Sequence, residues 1–168
     1  MNNDAIAIAN YFIGKANADT QHQLTLLRLV KYVYIAYGFA MAILDRIIID
    51  KRFDVVEAWK YGPVIPSVYH SFKHNGNSPI TTPCQIVRDE QSDGTLIFET
   101  PQVTDPEIMK VLDFVWLRYS KMTTGTLINT LHQEGTPWRF CYREGENVII
   151  PDRMTQVYYN DIVKALLK

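Results

Sequence analysis

The chain has 168 residues, 47% of them hydrophobic, 21% charged and 12% aromatic, the make-up of one globular core that needs no disulfide or metal staple. A formal charge of −1 and a pI near 6.4 exclude a whole-molecule positive field of the kind that gathers nucleic acid or an anionic membrane, leaving only a local basic patch for such contacts. Two cysteines, Cys84 and Cys141, are too few for a disulfide framework and match no zinc spacing, so both read as reduced thiols of a cytoplasmic protein with no metal or cofactor.

Asp4 ahead of Ala5, Ile6, Ala9, Phe12 and Ile13 predicts a short first helix with a side-chain N-cap, broken over Gly14 to Asp19. The acid stands where a secretory signal carries lysine or arginine, so no export is expected. Thr20-Gln21-His22-Gln23 has capping-box spacing, and from Leu24 through Leu27, Val30, Tyr34, Tyr37 and Met41 apolar residues recur with the helical period. Beyond Tyr32 nearly every side is apolar, which makes this the central helix. Its longest apolar run, Val33 to Leu44, falls short of the about 20 residues that a bilayer core demands.

Ile47-Ile48-Ile49 is β-prone ahead of a charged turn at Asp50-Lys51-Arg52. Gly62-Pro63 predicts a turn, and Pro66 opens a helix over about Ser67 to Asn75 with Val68 and Phe72 inward, ended by Asn75-Gly76-Asn77. Two β-prone runs, Gln85 to Arg88 and Thr95 to Phe98, predict a hairpin around Asp93-Gly94, with Asp89, Glu90 and Asp93 as its solvated turn. Thr104-Asp105-Pro106-Glu107 then opens a second long helix carrying Ile108, Leu112, Val115, Trp116 and Tyr119. Thr123 or Thr124 caps a helix through Leu127, Ile128 and Leu131 that stops at Gly135. Pro151-Asp152 starts a last helix with Met154, Val157, Tyr158, Ile162 and Leu166 on its apolar face. With no repeat, low-complexity tract or linker, residues 1–168 are expected to form one mainly α domain, a helical bundle around a long central helix with a small β-hairpin.

Chemistry-bearing constellations are sparse. His70 and His74 share the spacing of paired metal ligands, but the string His70-Ser71-Phe72-Lys73-His74 lacks the glutamate of a zinc protease and sets a lysine where it would repel a cation, so both read as surface histidines. Cys84 or Cys141 with His132 would be the nucleophilic pair of a small hydrolase, and neither cysteine has a supporting signature. The 8 glycines form no phosphate-binding loop. What stands out is Glu57-Ala58-Trp59-Lys60-Tyr61-Gly62-Pro63-Val64, followed by Tyr69. Read structurally, Trp59 anchors a turn that Gly62 and Pro63 fix. Read functionally, a stiff turn rich in tyrosine and tryptophan has the composition of a binding hot spot.

These residues also carry a family resemblance. Leu26 to Tyr34, the string Glu57 to Val64 with Ile65-Pro66-Ser67-Val68-Tyr69, and the block Leu131-His132-Gln133-Glu134-Gly135-Thr136-Pro137-Trp138 with Ile150-Pro151 resemble, in the expected order, the Panacea domain family of SocA-like, phage-associated proteins. The resemblance implies a mostly helical, non-enzymatic interaction domain that acts as an antitoxin or prophage-associated regulator, binding and neutralising a toxin encoded by a neighbouring gene. It implies partner contacts at Lys60, Tyr61, Gly62, Pro63 and Tyr69, and structural roles for Trp59, His132, Pro137 and Trp138, with Trp59 largely buried. A metal- or cysteine-dependent hydrolase and a transcriptional regulator are the alternative readings, and the balanced charge weighs against the second.

Overall fold

Helix α2 (Leu26–Leu44) is the axis on which the other elements are laid in the computed structural model, which describes residues 4–19 and 21–168. Its 19 residues are long and apolar enough to cross a membrane, yet most of their surface is covered by neighbouring elements, as befits a core helix. The elements that cover it are α1 (Asp4–Ala18), α3 (Pro66–Phe72), α4 (Pro106–Tyr119), α5 (Thr124–His132) and α7 (Asp152–Leu166). A short α6 (Pro137–Cys141) links α5 to the last third of the chain. The architecture is mainly α, as expected.

Tyr32, Tyr34, Tyr37 and Phe39 are all fully enclosed, so α2 presents an aromatic surface in every direction. Tyr32 lies 5.9 Å from Trp116 of α4 and 5.6 Å from Phe12 of α1, and Phe39 lies 4.9 Å from Tyr159 of α7. The helix begins after Thr25, whose side chain makes no cap bond, while Thr20 of the expected capping box lies outside the described residues. It ends at Asp45 in the left-handed region (φ 51°), with the Asp45 amide donating to Ala40.

Several boundaries depart from sequence expectation. Helix α1 continues through Gly14 to Ala18 instead of breaking, because one exposed glycine costs only about 1 kcal/mol and Lys15 ties the far end to Asp113 at 2.8 Å. Asp4 is already helical, so the cap position falls outside the described residues. The cap of α4 is Asp105 alone, its Oδ1 accepting from the Glu107 and Ile108 amides at 2.9 and 3.3 Å. Ile47 to Ile49 forms no strand; Ile48 and Ile49 are buried from an extended loop. On α7 the buried stripe is Thr155 and Tyr159, whereas Val157 and Leu166 stay 45% and 43% exposed. The face is rotated because the Tyr159 ring fills the notch left by Gly38 on α2.

Two small sheets complete the fold. Strands β3 (Ile86–Glu90) and β4 (Leu96–Glu99) form the expected hairpin, turning at Gly94 with φ +83°. Buried Asn10 of α1 holds the base of that hairpin, donating to the Cys84 and Pro101 carbonyls at 3.0 Å each and accepting from the Cys84 amide at 2.8 Å. The second sheet has the order β2-β1-β5, with β1 (Glu57–Trp59) antiparallel to both β2 (Gly62–Val64) and β5 (Val148–Ile149). Its turn is therefore Lys60-Tyr61. Gly62 and Pro63 belong to the edge strand β2, where a missing proline N–H is harmless.

Candidate interaction groove at the β1–β2 turn

Three elements converge beneath this turn. Lys31, in the middle of α2, is 0% exposed, and its Nζ donates to the Pro63 carbonyl at 2.9 Å. Burial pulls its pKa from the usual lysine range down to about 7, and no carboxylate among the described residues offsets that. A Cβ at position 62 would meet Lys31 Cε and Nζ at 3.0 Å and His132 Nε2 at 3.4 Å, and Gly62 holds φ +107°, so space and backbone both require glycine here.

His132 closes α5, and its ring lies flat on Trp138 with centroids 3.6 Å apart and planes 5° apart. Trp138 in turn stacks on Tyr142 at 4.7 Å and donates from Nε1 to the Trp59 carbonyl at 2.7 Å. Pro137 is buried in the first turn of α6, next to the capping Thr136. The sequence Glu134-Gly135-Thr136-Pro137-Trp138 thus makes a tight corner that delivers an indole N–H to the last residue of β1. His132 Nε2 is buried with no hydrogen-bond partner. Burial first, then the Lys31 and Arg139 charges, push its pKa below the ordinary histidine value, favouring the neutral ring.

On the outer side, Trp59 is half-buried rather than largely buried as expected, because its ring forms one wall of a groove instead of entering the core. Its Nε1 donates to Glu57 Oε2 at 2.7 Å, and its ring packs edge-to-face with Tyr69, centroids 4.9 Å apart. The groove has a volume of about 380 Å³, with Val30, Lys31 and Val64 buried at its floor and Lys60, Tyr61 and Lys73 exposed along it. Tyr61 is 56% exposed, with the Lys60 ammonium 5.6 Å from its ring centre. The structure therefore brings Lys60, Tyr61 and Tyr69 to one surface. Gly62 and Pro63 lie underneath, where they shape the turn rather than face outward.

Of the other sequence candidates, His70 borders this site, its ring 5.4 Å from Tyr69 and 6.4 Å from Trp59, whereas His74, Cys84 and Cys141 do not line it. His70 is exposed on α3 and His74 is exposed on the following 3-10 turn, so they no longer share one helix. Among the described residues no group of three or more His, Cys, Asp or Glu side chains is placed to hold a metal ion. Burial pushes the Cys84 and Cys141 thiols up, the opposite of an activated nucleophile. Lys31 was not singled out from the sequence, although a lone lysine flanked at helical spacing by Leu27, Tyr34 and Ile35 was the available signal.

Trp138 joins the stack, the corner and the turn, and it is buried like Trp116. Trp138→Ala is expected to destabilise the fold by about 3–5 kcal/mol, read as a lowered urea midpoint, since it removes a core aromatic together with its hydrogen bond to the Trp59 carbonyl. An unchanged midpoint would remove Trp138 from the fold's supports.

Residues 29–139 match the family described as Antitoxin SocA-like, Panacea domain. Over 139 residues the chain is 34% identical to Antitoxin SocA of Caulobacter vibrioides (strain NA1000 / CB15N), an alignment covering 80% of this chain and 68% of that protein. No solved structure matches. The matched stretch contains Lys31, the Trp59 to Tyr69 segment, His132 and Trp138, the same residues that build the groove and its support. By both comparisons the chain belongs to the SocA-like Panacea-domain family.

Proposed function

We propose that this protein is an antitoxin: a non-enzymatic cytoplasmic domain that binds and neutralises a protein toxin encoded by a neighbouring gene, using the β1–β2 turn as its contact surface. The relative named Antitoxin SocA supports the class of function. One observation carries the choice of surface: the exposed Lys60-Tyr61 tip is held from beneath by two hydrogen bonds, a buried one from Lys31 to Pro63 and a half-buried one from Trp138 to Trp59. A turn pinned in this way loses little entropy on docking, and tyrosine supplies a large amphipathic contact.

In this reading Tyr61 and Tyr69 contact the toxin, Lys60 at the rim steers its approach, and Gly62 and Pro63 set the shape that both tyrosines depend on. Co-expression with the neighbouring gene product tests it. Wild type is expected to restore growth, and Tyr61→Ala, shown folded by circular dichroism, to bind the purified toxin about 30-fold more weakly, equivalent to about 2 kcal/mol. Tyr61→Ala that binds as tightly as wild type would move the contact surface elsewhere. A wild-type chain that never restores growth would end the antitoxin reading.

A further inference from the structure

The groove beside the turn is cationic in a way that an aromatic contact alone does not explain. Lysines reach it from three separate elements: Lys31 on α2, Lys60 at the turn and Lys73 after α3. No carboxylate lines it among the described residues, and Glu57 on β1 is engaged by the Trp59 indole N–H. Between the lysines the surface is apolar and aromatic, with Leu27, Val30, Trp59 and Tyr69.

Lys31 is the unusual member. A fully buried ammonium with three N–H donors has a single protein acceptor, the Pro63 carbonyl. Its neighbour His132 presents a buried nitrogen that also lacks a partner. An ion left this way is costly unless an opposite charge arrives. Lys31 is among the residues that line the groove, and rotation of its flexible four-carbon stem is the movement that would bring Nζ to a bound group.

We propose that the groove receives an acidic, apolar-flanked segment of the protein partner, one side-chain carboxylate pairing with Lys31 and others with Lys60 and Lys73. The inference rests on the antitoxin reading for the identity of the partner but not for the chemistry of the site. Three lysines on three elements match carboxylates distributed along an extended segment, rather than one chain terminus. A carboxylate at the floor supplies the countercharge that Lys31 lacks, while the intervening apolar wall takes the flanking side chains.

Two measurements test this. The first compares toxin affinity for wild type, Lys31→Met, the double variant Lys60→Gln/Lys73→Gln, and Lys121→Gln as an exposed control that does not line the groove. Both groove variants are expected to bind at least about tenfold more weakly, with the double variant losing most of its salt dependence and the control unchanged. The second follows the Trp59 indole N–H resonance as two peptides are added, acetyl-Gly-Leu-Asp-Phe-Glu-Leu-Gly-amide and its Asn/Gln counterpart. Only the acidic peptide is expected to shift it.

A folded double variant that binds toxin within twofold of wild type overturns the inference and leaves the antitoxin reading intact. If Lys31→Met does not fold, the double variant and the peptides still decide the matter. If wild type binds no neighbouring toxin, the antitoxin reading fails and the peptide pair decides alone: a shift with the acidic peptide only sustains the inference, whereas equal shifts or none overturn it.

Discussion

Lys31→Met is expected to stabilise the folded protein at pH 7 and to flatten its stability profile above that pH. In the folded chain Lys31 titrates at about 7, whereas in the unfolded chain it titrates near the ordinary lysine value of about 10.4. Between those values the unfolded chain binds the extra proton, so wild-type stability rises with pH across the window, by up to about 1.4 kcal/mol per unit. Below about pH 7 both states are protonated and the whole burial penalty is present. Methionine keeps the volume and removes the penalty, at a cost of about 1 kcal/mol for leaving the Pro63 carbonyl without its donor.

Urea unfolding at pH 7 and 9 should therefore show wild type gaining about 2 kcal/mol more than Lys31→Met over that interval. The range is chosen to keep His132 out of the comparison. Its folded pKa is also depressed, so its contribution grows only up to its unfolded value near 6.5 and is constant above it. Parallel pH profiles for the two proteins would mean that Lys31 finds a countercharge in the folded chain.

The second large effect belongs to Gly38→Ala. Elsewhere in a helix, alanine for glycine is worth about 1 kcal/mol of stability, and at Gly14, where an added Cβ meets nothing within 4 Å, that gain is expected. At Gly38 the new methyl would fall inside the Tyr159 ring, which is itself fully buried between Tyr34 and Phe39. Neither ring nor backbone has room to yield, so α7 must move off α2. A net loss of about 3 kcal/mol is expected, three times the propensity effect and opposite in sign. Equal midpoints for Gly14→Ala and Gly38→Ala would show that α7 does not pack where Tyr159 places it.

The Gly38–Tyr159 contact also shows where sequence reading stops. Periodicity located α2, α4 and α5 because their apolar residues repeat with little ambiguity, and turn chemistry located the β3–β4 hairpin and narrowed the cap of α5 to Thr123 or Thr124, of which the fold uses Thr123. On α7 the same rule selected Met154, Val157, Tyr158, Ile162 and Leu166, which put Val157 inward and passed over Tyr159. The notch that recruits Tyr159 is made by a residue far away on α2, and no local pattern reports it. Strand β5, with two residues, is shorter than any period. In the candidate site the aromatic tip was legible from Trp59 to Tyr69. Its support was not, since Lys31 and Trp138 reach the turn from distant segments, and the buried state of Gly62 and Pro63 follows from that support.

The pairing of β1 with β5 has a consequence for the order in which the molecule is made. The Trp59 carbonyl waits for the Trp138 indole, 79 residues on, and Glu57 and Ala58 wait for Ile149 and Val148, a loop that spans more than half the chain. Closing it costs entropy that only the later contacts offset. During synthesis the Lys60-Tyr61 tip emerges long before the segments that hold it, and a nascent chain carries these two residues without their geometry. A partner that recognises the shape of this turn therefore recognises finished molecules and passes over incomplete ones.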